Sequence, residues 1–169
     1  LDRSAVLAAR LRTMSAGKLA KLMDISPKLA ELNRDRWQNW TPGVEAERSR
    51  PAVFLFNGEV YRGLDAYTLS LSDLRHAQQH LRILSGLYGL LRPLDRIQPH
   101  RLEMGTRLVV DRKTPNLYAF WKVALAEEME RIQQEQGTNV LVNLASAECY
   151  VDGARVAFTY GQAVTISAE

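Results

Sequence analysis

Cysteine occurs once in 169 residues, at Cys149, so no internal disulfide and no all-cysteine zinc site can form; a reducing cytosol fits this usage best. No apolar run approaches the roughly 18 residues that cross a bilayer, so a membrane-spanning chain is excluded. The opening LDRSAVLAARLR carries charge throughout and offers no signal-peptide core. The expected location is therefore cytoplasmic, with no membrane contact. A Walker loop, a Rossmann glycine pattern and a G-x-S-x-G elbow are all missing, and no histidine follows residue 100. Ordinary nucleotide-dependent enzymes and serine hydrolases lose their usual signatures here.

What remains is the composition of a globular protein. Hydrophobic residues make up 46% and charged residues 24%, far from a disordered chain. This length buries a real core, and a single domain over residues 1–169 is expected. Net charge is +3, unevenly spread. Between residues 73 and 113, Arg75, Arg82, Arg92, Arg96, Arg101, Arg107, Arg112 and Lys113 face Asp73, Asp95, Glu103 and Asp111, which leaves +4 there and −1 elsewhere. An arginine-rich middle suits a polyanionic partner; a solvated surface of mixed charge suits it equally.

Helical signals fill the first third. Val6, Leu7 and Leu11 share a face of a helix over 4–12, and Ser15 caps a segment carrying Leu19, Leu22 and Met23. Ser26-Pro27 starts a third helix, with Leu29, Leu32, Arg36 and Trp40 on one side and Thr41-Pro42-Gly43 as its end. The run Ala52–Phe56 then reads as a buried strand closed by Asn57-Gly58, with Val60 and Tyr61 continuing a hairpin. Ser72-Asp73 begins the longest clear helix, lined by Leu74, Ala77, Leu81 and Leu84 and ended at Ser85-Gly86. A strand is expected from Arg107 to Asp111, and a helix from Asn116 to Gln136 with a stripe of Leu117, Phe120, Trp121, Ala124, Leu125 and Met129. Strands at Val140–Val142, Ala154–Thr159 and Ala163–Ile166 complete the reading.

Three places carry potential chemistry. His76 and His80 lie one helical turn apart, but Ala77 and Gln78 stand where a zinc-protease motif needs its glutamate, and packing or capping accounts for the pair as well. Asn143, Ser146 and Glu148 bring polar side chains to a strand end, where Arg101 and Glu103 would complete an enzyme site of unknown reaction around 143-148. The segment SGLYGLLRP, residues 85–93, is the third. Two glycines three apart make a tight turn whose backbone amides suit a phosphate oxygen. Arg92, Arg96 and Arg101 would neutralise neighbouring phosphates, and Tyr88 would pack on a sugar or base. A structural corner, with these arginines paired to Asp95 and Glu103, explains the same residues.

The string AQQHLRILSGLYGLLRPLDRIQPHRLEMGTRL, residues 77–108, resembles the core signature of the bacterial YaaA peroxide-stress family. The resemblance extends to LAKLMDISPKLAELNRDRWQNW, AVFLFNGEVYRGLDA, NLYAFW and NVLVNLASAECY, and so covers roughly residues 15–150. It implies an α+β fold, a mixed sheet with surrounding helices and a helix-hairpin-helix-like element near residues 73-98. It also implies a cytosolic protein that binds DNA, supports hydrogen peroxide resistance and lowers unincorporated iron. His80, Ser85, Gly86, Tyr88, Gly89, Arg92, Pro93, Asp95, Arg101 and Met104 match the family string. The family's opening strand, ending in an Ile-Ser-Pro-Ala-Lys-like segment, and its later Ala-Lys-Arg-Ala-Arg-Gly-like stretch have no counterpart. A chain incomplete at both ends relative to the family is expected.

Together these readings give a monomer that binds duplex or structured DNA through phosphates with little sequence readout. The nucleic-acid-binding set is His80, Ser85, Gly86, Tyr88, Gly89, Arg92, Arg96 and Arg101. No catalytic residue, metal ligand or cofactor is assigned, and the enzyme at 143-148 stands as the alternative.

Overall fold

Serine side chains set where the first helices begin. In a computed structural model, which describes residues 2–43, 45, 47–138, 140–144 and 163–165, helix α1 (Asp2–Arg12) is followed by α2 (Ala16–Met23) and α3 (Pro27–Asn39). Ser15 Oγ accepts the Lys18 amide at 3.3 Å and Ser26 Oγ accepts the Leu29 amide at 3.4 Å, with Pro27 in the first turn, where its missing N–H costs nothing. Replacing such a cap by alanine costs about 1 kcal/mol. The other end of α3 is held by charge. Arg12 donates through Nε to the Trp37 carbonyl at 3.0 Å and through Nη2 to the Trp40 carbonyl, a cation on the negative end of the helix.

The inward face of α3 is not the one expected. Ala30, Asn33 and Trp37 are buried, whereas Leu29 and Leu32 are 41% and 45% exposed. Trp40 is buried as well, but from the capping position beyond the last turn. The large Trp37 ring takes the core position, and Ala30 carries no bulk to hold the helix off its neighbours. Leu7, Leu11 and Leu19 from α1 and α2 complete the buried apolar set.

The run Ala52–Phe56, expected as a strand, is instead mostly one helical turn. A two-residue strand β1 (Arg50–Pro51) leads into helix α4 (Ala52–Leu55), and Phe56 N–H returns to the Ala52 carbonyl. The reason lies across the ladder. The Ala52 and Val53 amides donate to the carbonyls of Asp95 and Pro93, at 2.8 and 2.9 Å, but the Asp95 amide turns back to the Arg92 carbonyl and Pro93 has no N–H, so neither answers. Pairing stops and the chain turns. Asn57-Gly58 likewise makes no hairpin: Gly58 opens helix α5 (Glu59–Leu64), which contains Val60 and Tyr61.

Helix α6 (Leu71–His80) begins in a reciprocal cap: Ser70 Oγ accepts the Asp73 amide, and the Asp73 carboxylate accepts the Ser70 amide. It ends at His80, several residues before the expected Ser85-Gly86. Strand β2 (Ile83–Ser85) pairs antiparallel with β3 (Gly89–Leu91), Ser85 opposite Gly89, and β4 (Arg96–Ile97) pairs antiparallel with β1. A β-hairpin therefore stands where a helix-hairpin-helix is expected near 73-98, and no second helix follows it in 92–98. Ile83 and Leu91 pack with Ala52 and Ile97, and partly buried Phe56, Tyr61 and Tyr88 cover them; a helix through 84 would break this cluster.

The first compact unit runs to Leu102 and the second starts at Glu103. In the second, residues 107–110 form no strand; the Val110 amide donates to the Thr114 carbonyl, and Asp111 Oδ1 accepts the Lys113 and Thr114 amides in a side-chain-closed turn. Helix α7 (Leu117–Gln136) matches the expected span. Asn116 caps its start, and Gly137, at φ 61°, takes the left-handed turn at its end. Its buried stripe is Leu117, Trp121, Leu125, Met129 and Ile132. Strand β5 (Leu141–Asn143) pairs parallel with β6 (Ala163–Thr165). The expected strand at 154–159 lies outside the described residues. The fold is α+β, with three separate two-stranded ladders among the described residues in place of one mixed sheet.

The Asp73 carboxyl is held below its usual range first by the Ser70 hydroxyl and then by the Ser70 amide. Its stabilising contribution is complete above the unfolded carboxyl value, about 4, and is lost as pH falls through the lower folded value. Asp73→Asn is expected to melt at a lower temperature than the parent chain at pH 7, with the gap closing in melts run at successively lower pH below 4.

Candidate nucleic-acid interface

The hairpin that carries most of the expected site is closed by its own side chains. Ser85 is buried, and its Oγ accepts both the Leu87 amide at 3.3 Å and the Tyr88 amide at 3.1 Å. These are two of the amides expected to face a phosphate. They are spent inside the turn, because a buried N–H must find a partner and the nearest hydroxyl supplies it. Gly86 and Gly89 are buried as well, and Gly89 sits at φ 74°, the left-handed position that lets the three-residue turn close.

Tyr88 faces inward. Its hydroxyl accepts the Trp40 indole N–H at 3.0 Å and the Gln98 amide at 3.2 Å, joining the hairpin to the end of α3 and the segment after β4. The Gln98 side chain continues the network, accepting the Thr41 amide and donating to the Thr41 and Gly43 carbonyls. Against the Tyr88 ring lies His100, edge-on at 5.2 Å between centroids, with Phe56 and Trp37 at 6.0 and 6.2 Å. Burial holds the His100 imidazole at about 4, well below its ordinary 6.5; its hydrogen bond to the Gln98 carbonyl opposes this, and the Arg36 charge adds to it. His100 is neutral at pH 7 and donates from Nδ1 to that carbonyl.

The arginines divide. Arg96 donates through Nε to Ser49 Oγ at 3.0 Å and through Nη2 to the Ser49 carbonyl at 2.7 Å, bracing β4 to the residue before β1. Arg92 is half-buried; its backbone N–H donates to Asp95 Oδ2 at 2.7 Å, while its guanidinium has no hydrogen bond or ion pair among the described residues. Arg101 and His80 are exposed, and the His80 ring lies 4.4 Å from that of His76. Of the expected set, Ser85, Gly86, Tyr88 and Gly89 thus meet in one rigid turn. Arg92 leaves it directly, Arg96 is committed to Ser49, and His80 lies at the end of α6.

No group of three His, Cys, Asp or Glu side chains that could hold a metal occurs among the described residues. Of the alternative 143-148 site, Asn143 ends β5, whereas Ser146 and Glu148 lie outside the described residues. No helix among the described residues is long and apolar enough to cross a membrane.

A cleft that sequence reasoning missed lies beside the network. The outer face of α3 supplies Leu32, Asp35, Arg36 and Asn39; Glu47, Arg48 and Arg50 precede and enter β1; Gln98 and Pro99 follow β4. Its α3 stripe, Leu32, Asp35, Arg36 and Asn39, follows the i, i+3, i+4, i+7 rule, a detectable signal, but Leu32 and Arg36 were expected on one side with Leu29 and Trp40 instead. The other members are brought in by the β1–β4 pairing.

These features define a class: an α+β protein whose first unit is built on a buried polar–aromatic network and carries arginines at its surface. The chain belongs to the family described as peroxide stress protein YaaA, whose model matches residues 1–164. Among similar curated proteins is a UPF0246 protein of Verminephrobacter eiseniae, 53% identical over 150 residues, covering 89% of this chain and 57% of the relative. UPF0246 proteins of Ralstonia nicotianae and Cupriavidus metallidurans are each 52% identical, over 150 and 154 residues, covering 89% of this chain and 58% of theirs. The chain thus spans a little over half the length of these relatives.

Two outcomes follow from the network. Tyr88→Phe leaves the Trp40 indole N–H and the Gln98 amide without their acceptor and should lower unfolding free energy by about 2–4 kcal/mol in urea titrations. Neutral His100 contributes stability that is fully present above pH 6.5 and lost as pH falls toward about 4, since the unfolded chain takes up the proton first. Stability measured against pH should fall across that window, and His100→Gln should flatten the fall.

Proposed function

We propose that this chain acts in the response to hydrogen peroxide by binding duplex or structured DNA through its phosphates, with little sequence readout. Family membership supports the stress role. The observation that carries the DNA contact is the Arg92 guanidinium, which has no partner among the described residues and is mounted at the end of β3, the second strand of a hairpin whose turn is locked by Ser85 and Tyr88. A rigid mount presents the cation at little entropic cost, and a bidentate fork suits a phosphate. Contact then runs through arginine side chains, Arg92 and exposed Arg101, in place of the hairpin amides. The link to lowering unincorporated iron belongs to the same proposal and rests on the family resemblance alone.

Fluorescence anisotropy of a labelled duplex tests this. With four to six phosphate contacts, log affinity should fall against log salt with a slope of about −4 to −5 between about 50 and 200 mM. Arg92→Gln should weaken binding evenly across sequences and make the slope shallower by about one unit. Affinity that ignores salt, or a slope unchanged in Arg92→Gln, sinks the proposal.

A further inference from the structure

The cleft beside α3 has the features of a small-molecule site. Its volume of about 620 Å³ lies within the range of ligand pockets, and it opens broadly to solvent. Arg36 is the informative residue. It is half-buried, lines the cleft from the outer face of α3, and makes no hydrogen bond or ion pair among the described residues. A partly desolvated guanidinium without an anion is unfavourable, and an oxyanion in the cleft would relieve it. Two neighbouring carboxylates are already paired, Asp35 with Arg34 at 2.9 Å and Glu45 with Arg48 at 3.4 Å, and the third, Glu47, lines the cleft without an ion pair to Arg36 among the described residues.

Arg50 adds a second fork. One of its N–H groups donates to the Ser49 carbonyl at 3.1 Å, which orients the guanidinium and leaves further donors. Gln98 is a wall, not a donor, since its amide is fully engaged with Thr41 and Gly43. Exposed Leu32 and Pro99 offer apolar surface, and the Glu47 carboxylate is an acceptor suited to hydroxyl groups.

We propose that this cleft binds a small phosphate ester that carries hydroxyl groups, of nucleoside monophosphate or sugar phosphate size, with its phosphate on Arg36 and Arg50. Glu47 accepts from a hydroxyl, and Leu32 and Pro99 cover the organic body. Nucleotide recognition of this kind needs no glycine-rich phosphate loop, because side-chain forks replace backbone amides. The site is separate from Arg92 and does not depend on the DNA proposal.

Calorimetric titration of the 169-residue chain with AMP and with ribose 5-phosphate tests it, with adenosine as the phosphate-free probe. Binding at about 1 mM or tighter is expected for the phosphate esters, and none for adenosine. Arg36→Gln and the more exposed Arg50→Gln should each weaken it about tenfold or more. Lys21→Gln, an equal loss of charge on α2, should leave it unchanged. Circular dichroism of each variant checks folding, and Arg50→Gln decides the matter if Arg36→Gln misfolds. No binding by either phosphate ester overturns the proposal, as does adenosine binding as tightly as AMP or full affinity in a folded arginine variant. A short duplex that displaces AMP and loses affinity equally in Arg36→Gln and Arg50→Gln would also overturn it, by making the cleft part of a DNA surface. A failure of the Arg92 salt test alone leaves it standing.

Discussion

The Tyr88 hydroxyl is the constraint on which the first unit depends. It receives one hydrogen bond from the indole at the end of α3 and one from the backbone after β4, and so ties together segments 48 and 10 residues away in sequence. Both donors belong to buried residues, so neither can turn to water if the hydroxyl moves. The hairpin, the exit of α3 and β4 therefore meet in one arrangement. The Gln98 side chain then fastens Thr41 and Gly43, which extends the same constraint into the chain leaving α3. His100 lies against Tyr88, and the cleft includes Gln98 in its wall, so both inherit their places from this network.

Arginine serves two purposes here that composition cannot separate. Arg12 caps the carbonyls at the end of α3, Arg96 braces Ser49, and Arg131 on α7 is held between Glu128 and Glu135. Their charge supports the fold. Arg36 and Arg92 have no such partner among the described residues, and the ligand contacts are centred on these two, with Arg50 and Arg101 beside them. A positive stretch between residues 73 and 113 thus overstates the charge available to a polyanion. The charge that matters for the cleft lies wholly outside that stretch, at Arg36, Arg48 and Arg50.

Local chemistry was legible in the residues. Ser15, Ser26 and Asn116 begin their helices as expected, Gly137 ends α7, and the buried stripe of that helix largely matches the expected one. Each of these depends on bonds between residues three or four apart, so neighbours in sequence contain the whole cause. The tight turn through 85–89 was legible for the same reason, since its glycines and Ser85 act within five residues.

The sequence by itself thus determined the starts of α2, α3 and α7, the turn and an α+β composition. Tertiary structure alone decided that Ala52–Leu55 forms a helical turn, because across the ladder the Asp95 amide is spent on Arg92 and Pro93 has no N–H to pair. It also decided that residues 83–91 form strands, because Ile83 and Leu91 bury against Ala52 and Ile97, and that Trp37, not Leu32, faces inward. Direction was settled the same way for Tyr88, whose ring and hydroxyl point into the protein because Trp40 and Gln98 lie there. The cleft was invisible for a related reason. Its arginines come from separate stretches of chain, Arg36 on α3 and Arg48 and Arg50 at β1, and only tertiary packing makes them neighbours, with the pairing of β1 and β4 adding Gln98 and Pro99.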